Sequence, residues 1–239
     1  MLATAEKQIE IVKESGMREA FEPAKLRASL LRAGADEDAV AAVMAHMMNE
    51  LKDGMTTKDI YNHAFKILSD WKKPVAQKYS LRRALMEMGP TGFPFENLIA
   101  EVLKGQGFET LTDQTVLGGC VPHEVDVVAW NDKKLIMVEA KFHNELGTKT
   151  DLKVALYVKA RIDDLKENTF SYGGRDRKLS EGWLITNTKF SSTAIHYGIC
   201  QNLTMIGWNY PEKGNLEDMI LDCPHLLNII YKNTPAKII

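Results

Sequence analysis

Three charged residues interrupt a run of core-like sequence, "EVDVVAWNDKKLIMVEAKF", residues 124–142: Asp126, Glu139 and Lys141. The run reads as two strands joined by a polar turn at Asn131-Asp132. Side chains alternate across a strand with period two. Glu139 and Lys141 therefore share one face of the second strand, and Val138, Ala140 and Phe142 the other. On the first strand, Val125, Val127 and Ala129 oppose Glu124, Asp126 and Val128. If the strands pair through the turn, Asp126 lies beside Glu139, and two carboxylates and an ammonium meet at one end of the hairpin. Paired carboxylates are hard oxygen ligands suited to Mg²⁺ or Mn²⁺. Such an ion polarises a phosphodiester and lowers the pKa of bound water. A nearby lysine orients that water, helps it lose a proton or stabilises the developing charge. Glu-x-Lys alone is an ordinary solvated pair. The strand-borne aspartate before it gives the set its specificity.

Several elements must hold this hairpin. "FENLIAEVLKGQG" is an amphipathic helix, and "FETLTDQTVLG" is one strand or two short ones. After the hairpin come a long helix in "TDLKVALYVKARIDDLKEN", a strand in "EGWLITNTKF", a helix in "SSTAIHYGICQN" and a strand in "LTMIGWN". A strand meander followed by helix–strand units predicts an α/β domain: a mixed sheet flanked by helices. The last stretch, "NLEDMILDCPHLLNIIYKNTPAKII", is apolar enough to pack as helix on the core or on a partner.

The first 90 residues have a different pattern. "QIEIVKESGMREAF" alternates around Ser15-Gly16 as a hairpin does. Four helical stretches follow. Pro23 opens the first and Gly34 stops it, Gly54 follows the second, Thr56 or Thr57 caps the third, and Gly89-Pro90 stops the fourth. "GPTGFP", residues 89–94, is the strongest linker signal, with two glycines and two prolines. The expected domains are 1–90, a small α-rich unit of one hairpin and four helices, and 91–239.

Composition is that of an ordinary globular protein, 45% hydrophobic and 26% charged, with net charge −2. The chain as a whole lacks the strong positive charge of many nucleic-acid binders. Cys120, Cys200 and Cys223 form no CxxC pair, which argues against a disulfide framework or a zinc site. The start of the chain has no apolar signal region and no stretch reaches membrane-span length, so a soluble, cytoplasmic protein without membrane association is expected.

Asp126 with Glu139-Ala140-Lys141 resembles the active-site motif of the PD-(D/E)xK nuclease superfamily. "FENLIAEVLKGQGFE" looks like the family's first helix, and "GWLITNTKFSSTAIHYG" is similar to the late strand and helix of its Mrr-like restriction-endonuclease branch. The resemblance spans roughly Phe93 to Asn209. It implies a restriction-endonuclease-like fold in which Asp126 and Glu139 ligate Mg²⁺ (or Mn²⁺), with the Ala140 carbonyl as a further ligand. It also implies that Lys141 activates or orients water and that Glu96 assists a ligand or a second ion. Val125 stands where the motif name has proline, and Glu139 stands where many Mrr-like members have glutamine.

The first unit resembles an ATP-cone, through "IVKESGMREAFEPAKLRASLLRAG", "GMTTKDIYNHAFKIL" and "AQKYSLRRAL". By that resemblance Lys13 and Lys25 hold phosphates, and Glu19, Phe21, Thr57 and Ile60 contact the base, sugar or phosphates of ATP or dATP. Glu14 occupies the place where an arginine often follows the lysine. No Walker loop is present, so binding without hydrolysis is expected.

Weaker candidates surround the site. His123 and His143 flank it in sequence. Lys149, Lys153, Lys159, Arg161 and Lys166 line the long helix region and suit either a DNA backbone or solvent. "YGGRDRK", residues 172–178, suits either phosphate contact or a surface loop. Together these readings imply a Mg²⁺-dependent DNA endonuclease regulated by ATP, leaving a 5′-phosphate and a 3′-hydroxyl and acting as a homodimer or higher homo-oligomer. The alternative is a nucleotide-dependent DNA-binding regulator on a non-catalytic nuclease fold.

Overall fold

The structure is a computed structural model that describes residues 9–87, 95–145 and 147–232 of the 239-residue chain. Contacts divide it into two compact units, the change falling between Arg83 and Ala84. The expected linker, Gly89–Pro94, lies outside the described residues.

The first unit opens with β1 (Glu10–Val12) and β2 (Arg18–Ala20), an antiparallel hairpin whose turn carries Gly16 at a φ of 78°. Helices α1 (Pro23–Arg32) and α2 (Glu37–Glu50) follow, then β3 (Met55–Thr56), α3 (Thr57–Trp71) and α4 (Lys73–Glu87). Pro23 opens α1, Asp36 caps α2 by accepting from the Ala39 amide, and Thr56 caps α3 in a reciprocal box with Asp59. β3 joins β1 in parallel, an addition the sequence did not suggest. Leu30, Val43, Met47, Ala64 and Leu68 form the centre of this unit's core.

The second unit begins with α5 (Phe95–Gly105), β4 (Glu109–Leu117), β5 (Pro122–Trp130), β6 (Leu135–Lys141) and β7 (Lys149–Thr150). Next come α6 (Leu152–Leu165), β8 (Thr169–Tyr172), β9 (Arg175–Lys178), β10 (Glu181–Thr186) and β11 (Lys189–Phe190). The chain closes with α7 (Ser192–Cys200), β12 (Thr204–Ile206), α8 (Leu216–Leu221) and α9 (Pro224–Lys232). The main sheet has the order β12-β10-β6-β5-β4. β4, β5 and β6 form the antiparallel meander, and β10 pairs in parallel with both β6 and β12. This is the mixed sheet predicted from element order. The apolar runs Leu135–Val138 of β6 and Trp183–Ile185 of β10 lie inside it, as strands covered on both faces do.

The stretch 172–178 is not a loop. It belongs to the hairpin β8–β9, turning at Gly173 and Gly174 with φ of 61° and 72°. A Cβ on Gly173 would lie 2.6 Å from Trp130 Nε1, so a side chain is excluded there. The described part of the apolar C-terminal stretch, α8 and α9, packs within the second unit, with Leu216, Ile220, Leu226 and Ile230 fully buried.

Candidate active site

The β5–β6 ladder pairs Trp130 with Leu135 and runs to Val127 opposite Val138. One step further, Asp126 and Glu139 face each other, but the ladder has opened. The Asp126 carboxylate instead takes the Ala140 amide, with Oδ2 accepting at 2.7 Å. On the other flank, the β4–β5 ladder also skips Asp126, opposite which Asp113 adopts a φ of 53°. A side chain thus replaces main-chain pairing where the two carboxylates meet. The strands part there while remaining tied.

α5 delivers the third acid. Phe95 at its start packs on Phe142 beyond the end of β6, with ring centroids 5.4 Å apart. Glu96, next in sequence, then lies close enough to act on Asp126 electrostatically. Burial raises the Asp126 pKa to about 6, and the charges of Glu139 and Glu96 push in the same direction. The Ala140 amide and Arg161 oppose that rise.

Glu139 is part-buried and pairs with Arg161 of α6, whose Nη1 donates to Oε2 at 2.5 Å. Arg161 Nη2 donates to the Tyr157 hydroxyl at 2.7 Å, and the guanidinium lies 4.8 Å from that ring's centroid. Gly182 of β10 allows α6 to seat so closely. A Cβ there would meet Ile162 Cγ1 at 2.3 Å.

Lys141 is exposed at the end of β6, opposite Thr186 of β10. A buried polar cluster fixes this strand end. The His143 amide donates to Asn187 Oδ1 and Asn187 Nδ2 donates to the His143 carbonyl, each at 2.8 Å. The His143 ring shares a hydrogen bond of 2.8 Å with Thr150, whose hydroxyl donates to Thr186 at 3.1 Å. Burial, and then Lys141, lower the His143 pKa and so favour the neutral ring.

The donor set suits a hard divalent cation. Asp126 and Glu139 each use one oxygen within the protein and keep the other without a hydrogen-bond partner among the described residues. Burial, and to a smaller extent the neighbouring acids, raise the Asp126 pKa, and a bound cation favours its ionised form. Among the described residues no three His, Cys, Asp or Glu side chains converge to hold a metal. Coordination by two carboxylates, completed by carbonyl, water and substrate phosphate, is the usual habit of Mg²⁺.

The other expected residues are placed elsewhere. His123 shares a hydrogen bond of 2.7 Å with Asp164, not with the acidic cluster. Asp164 also takes the amides of Cys120 and Val121, clamping the β4–β5 turn, and with these partners its pKa falls to about 2. Arg175 and Arg177 bind main-chain carbonyls of the β5–β6 turn at Asn131 and Asp132, the far end of the hairpin. These bonds tie the β8–β9 hairpin to that turn. Lys159 and Lys166 pair with Asp163, whereas Lys149 and Lys153 are exposed. Sequence reasoning did not foresee the Arg161–Glu139 pair. The i,i+4 spacing of Tyr157 and Arg161 was the only hint.

In the first unit Lys13 and Glu19 form an ion pair of 2.6 Å across the β1–β2 hairpin. The Glu19 pKa is lowered chiefly by Lys13, with a smaller contribution from Lys25. Lys25 pairs with Glu22 at 2.7 Å. Phe21 packs against the core, Ile60 is buried, and Thr57 follows the Thr56 cap on α3. Glu14 faces Arg83 of α4 at 3.3 Å, and that guanidinium stacks 4.0 Å from the Tyr61 ring centroid.

A family model described as a restriction endonuclease, of the Mrr catalytic type, matches residues 87–208, just over half of the chain. The chain belongs to this restriction endonuclease family. An ATP cone domain model matches residues 9–87, directly before it. An uncharacterized protein of Archaeoglobus fulgidus is 40% identical over 122 residues, covering 51% of this chain and 64% of that protein. The chain thus spans less than two thirds of that relative. Among solved structures, AF1548, a protein of unknown function, overlays with a TM-score of 0.47 at 39% identity, covering 53% of this chain and 63% of that one. The DNA modification-dependent restriction endonuclease AspBHI overlays with a TM-score of 0.38 at 11% identity, covering 66% and 40%. The restriction endonuclease domain therefore follows an ATP cone in one chain, a nuclease fold coupled to a nucleotide-binding regulatory domain. Among the described residues, no helix is long and apolar enough to cross a membrane.

Proposed function

We propose that this protein is a Mg²⁺- or Mn²⁺-dependent DNA endonuclease whose activity is set by ATP or dATP bound to the ATP cone. One observation carries the reading. Asp126 and Glu139 face each other where the β5–β6 ladder opens, with Asp126 raised to a pKa of about 6 by burial and neighbouring acids. A part-buried carboxylate with a raised pKa beside a second acid is a functional-site candidate.

Asp126 and Glu139 would hold the ion, with the Ala140 carbonyl beside them. When bound, the ion supplies Lewis-acid polarisation of the phosphate and a lowered pKa for water. The chain's own residues do the rest. Asp126, bonded to the Ala140 amide, fixes the segment 139–140 against β5. Lys141 orients the attacking water, and its ammonium stabilises charge on the phosphoryl oxygens in the transition state. The Asn187 clamp on His143 holds the strand end that carries Lys141. Glu96 adds negative charge that favours cation binding. In the first unit, Lys13 and Lys25 exchange Glu19 and Glu22 for nucleotide phosphates.

The test is cleavage of supercoiled, linear and branched DNA with Mg²⁺ or Mn²⁺, with and without ATP. Metal-dependent cutting that ATP changes is the expected result. No cutting of any substrate, with DNA binding that ATP still modulates, would favour the regulator instead.

A further inference from the structure

Arg161 does more than a counter-ion requires. Its Nη1 donates to Glu139 and its Nη2 to the Tyr157 hydroxyl. Its Nε is buried and has no acceptor among the described residues. A lysine would neutralise Glu139 without leaving a buried donor unmade, an arrangement that proteins seldom keep without a use. The side chain is only 11% exposed, yet Tyr157, which steadies it, is 58% exposed. The guanidinium thus lies just beneath the surface, one hydrogen bond from a carboxylate of the acidic cluster. Arginine's planar fork matches the oxygens of a phosphate and carries its charge at any working pH.

We propose that Arg161, steadied by Tyr157, binds substrate in the nuclease site, its guanidinium taking a non-bridging oxygen of the nucleic-acid phosphate beside Glu139. This rests on the nuclease reading above and assigns a phosphate-binding role to α6, which that reading leaves without one. Nη1 and Nη2 each carry two N–H groups, and the phosphate takes one that Glu139 and Tyr157 leave over. The bond to Glu139 sets the distance between that phosphate and the ion-holding carboxylates. Tyr157 limits how far the guanidinium can turn.

The experiment measures binding of a labelled DNA duplex by fluorescence anisotropy across a salt series. Ca²⁺, which takes the same oxygen ligands with looser geometry, replaces Mg²⁺. Arg161→Met should weaken binding roughly tenfold or more and reduce the salt slope by roughly 1. Arg161→Lys should restore the slope but only part of the affinity. Tyr157→Phe should weaken binding roughly threefold. Lys133→Met, an exposed lysine at the turn end of the hairpin, should change neither quantity. A folded Arg161→Met protein with wild-type affinity and slope would overturn the proposal. If that variant fails to fold, wild-type affinity in both Arg161→Lys and Tyr157→Phe would overturn it. The nuclease reading fails separately. A wild type that fails to cut with either metal ion while Arg161→Met still weakens binding would leave Arg161 a phosphate contact on a non-catalytic fold. A wild type that binds no nucleic acid would overturn both.

Discussion

At the residue scale, Asp126 is held in an unfavourable charge state, and that has a measurable consequence. Its pKa is about 6 in the folded protein, above the ordinary value of 3.8. A raised carboxylate pKa means that the folded state binds the proton more tightly than the unfolded one. Its ionised form therefore destabilises the fold, fully above pH 6 and not at all below about pH 4. In metal-free protein, Asp126→Asn should raise the melting temperature at pH 7 by about 2–4 °C, on the order of 1 kcal/mol once the exposed part of the carboxyl is discounted. The gain should vanish near pH 4. Adding Mn²⁺ should stabilise the wild type and leave the variant unmoved. Melting curves at the two pH values, with and without metal, check this. No gain at pH 7 would mean that burial does not penalise the ionised carboxylate.

At the element scale, the strand ends position the chemistry. Asn187 makes both main-chain bonds of His143, two residues beyond Lys141. Asn187→Ala leaves a buried amide and carbonyl unpaired, at a cost of about 1–3 kcal/mol. Thermal or denaturant melting should show that loss, and an unchanged midpoint would contradict the clamp. Much of this scale was legible in the sequence. The period-two pattern in 124–142 placed Asp126 opposite Glu139, and the helix starts at Pro23 and Thr56 follow from local chemistry that short peptides share. What was not legible depends on long-range partners. Asn187 lies within the stretch "GWLITNTKFSSTAIHYG", but nothing local says that it binds His143, 44 positions away. The basic stretch 172–178 was misread as a loop because Gly173-Gly174 signals flexibility and a tight hairpin turn equally. Arg161 resembled the other helix cations, because its partner Glu139 comes from another element.

At the scale of the whole molecule, a nucleotide acts on cleavage only if it binds two states of the protein with different affinity. Lys13 and Lys25 already hold carboxylates, so on the proposed reading nucleotide phosphates would replace existing ion pairs instead of filling bare cations. ATP at a hundredfold excess over its Kd should stabilise the first unit by about 2.7 kcal/mol. In Lys13→Ala and Lys25→Ala the upward shift in melting temperature should shrink, because each substitution removes a charge-assisted contact. Calorimetric scans with and without ATP measure it, and equal shifts in all three proteins would remove these lysines from the nucleotide site. The bound nucleotide should remain unhydrolysed, since the sequence has no Walker loop.

The most direct test of the central claim is the rate of DNA cleavage with Mn²⁺ by Asp126→Asn and Lys141→Ala beside the wild type. The account predicts metal-dependent cutting by the wild type and a loss of about a hundredfold or more in each variant, the scale on which positioned electrostatic and acid–base groups act. Cutting at the wild-type rate by either variant, or none by the wild type, would contradict it.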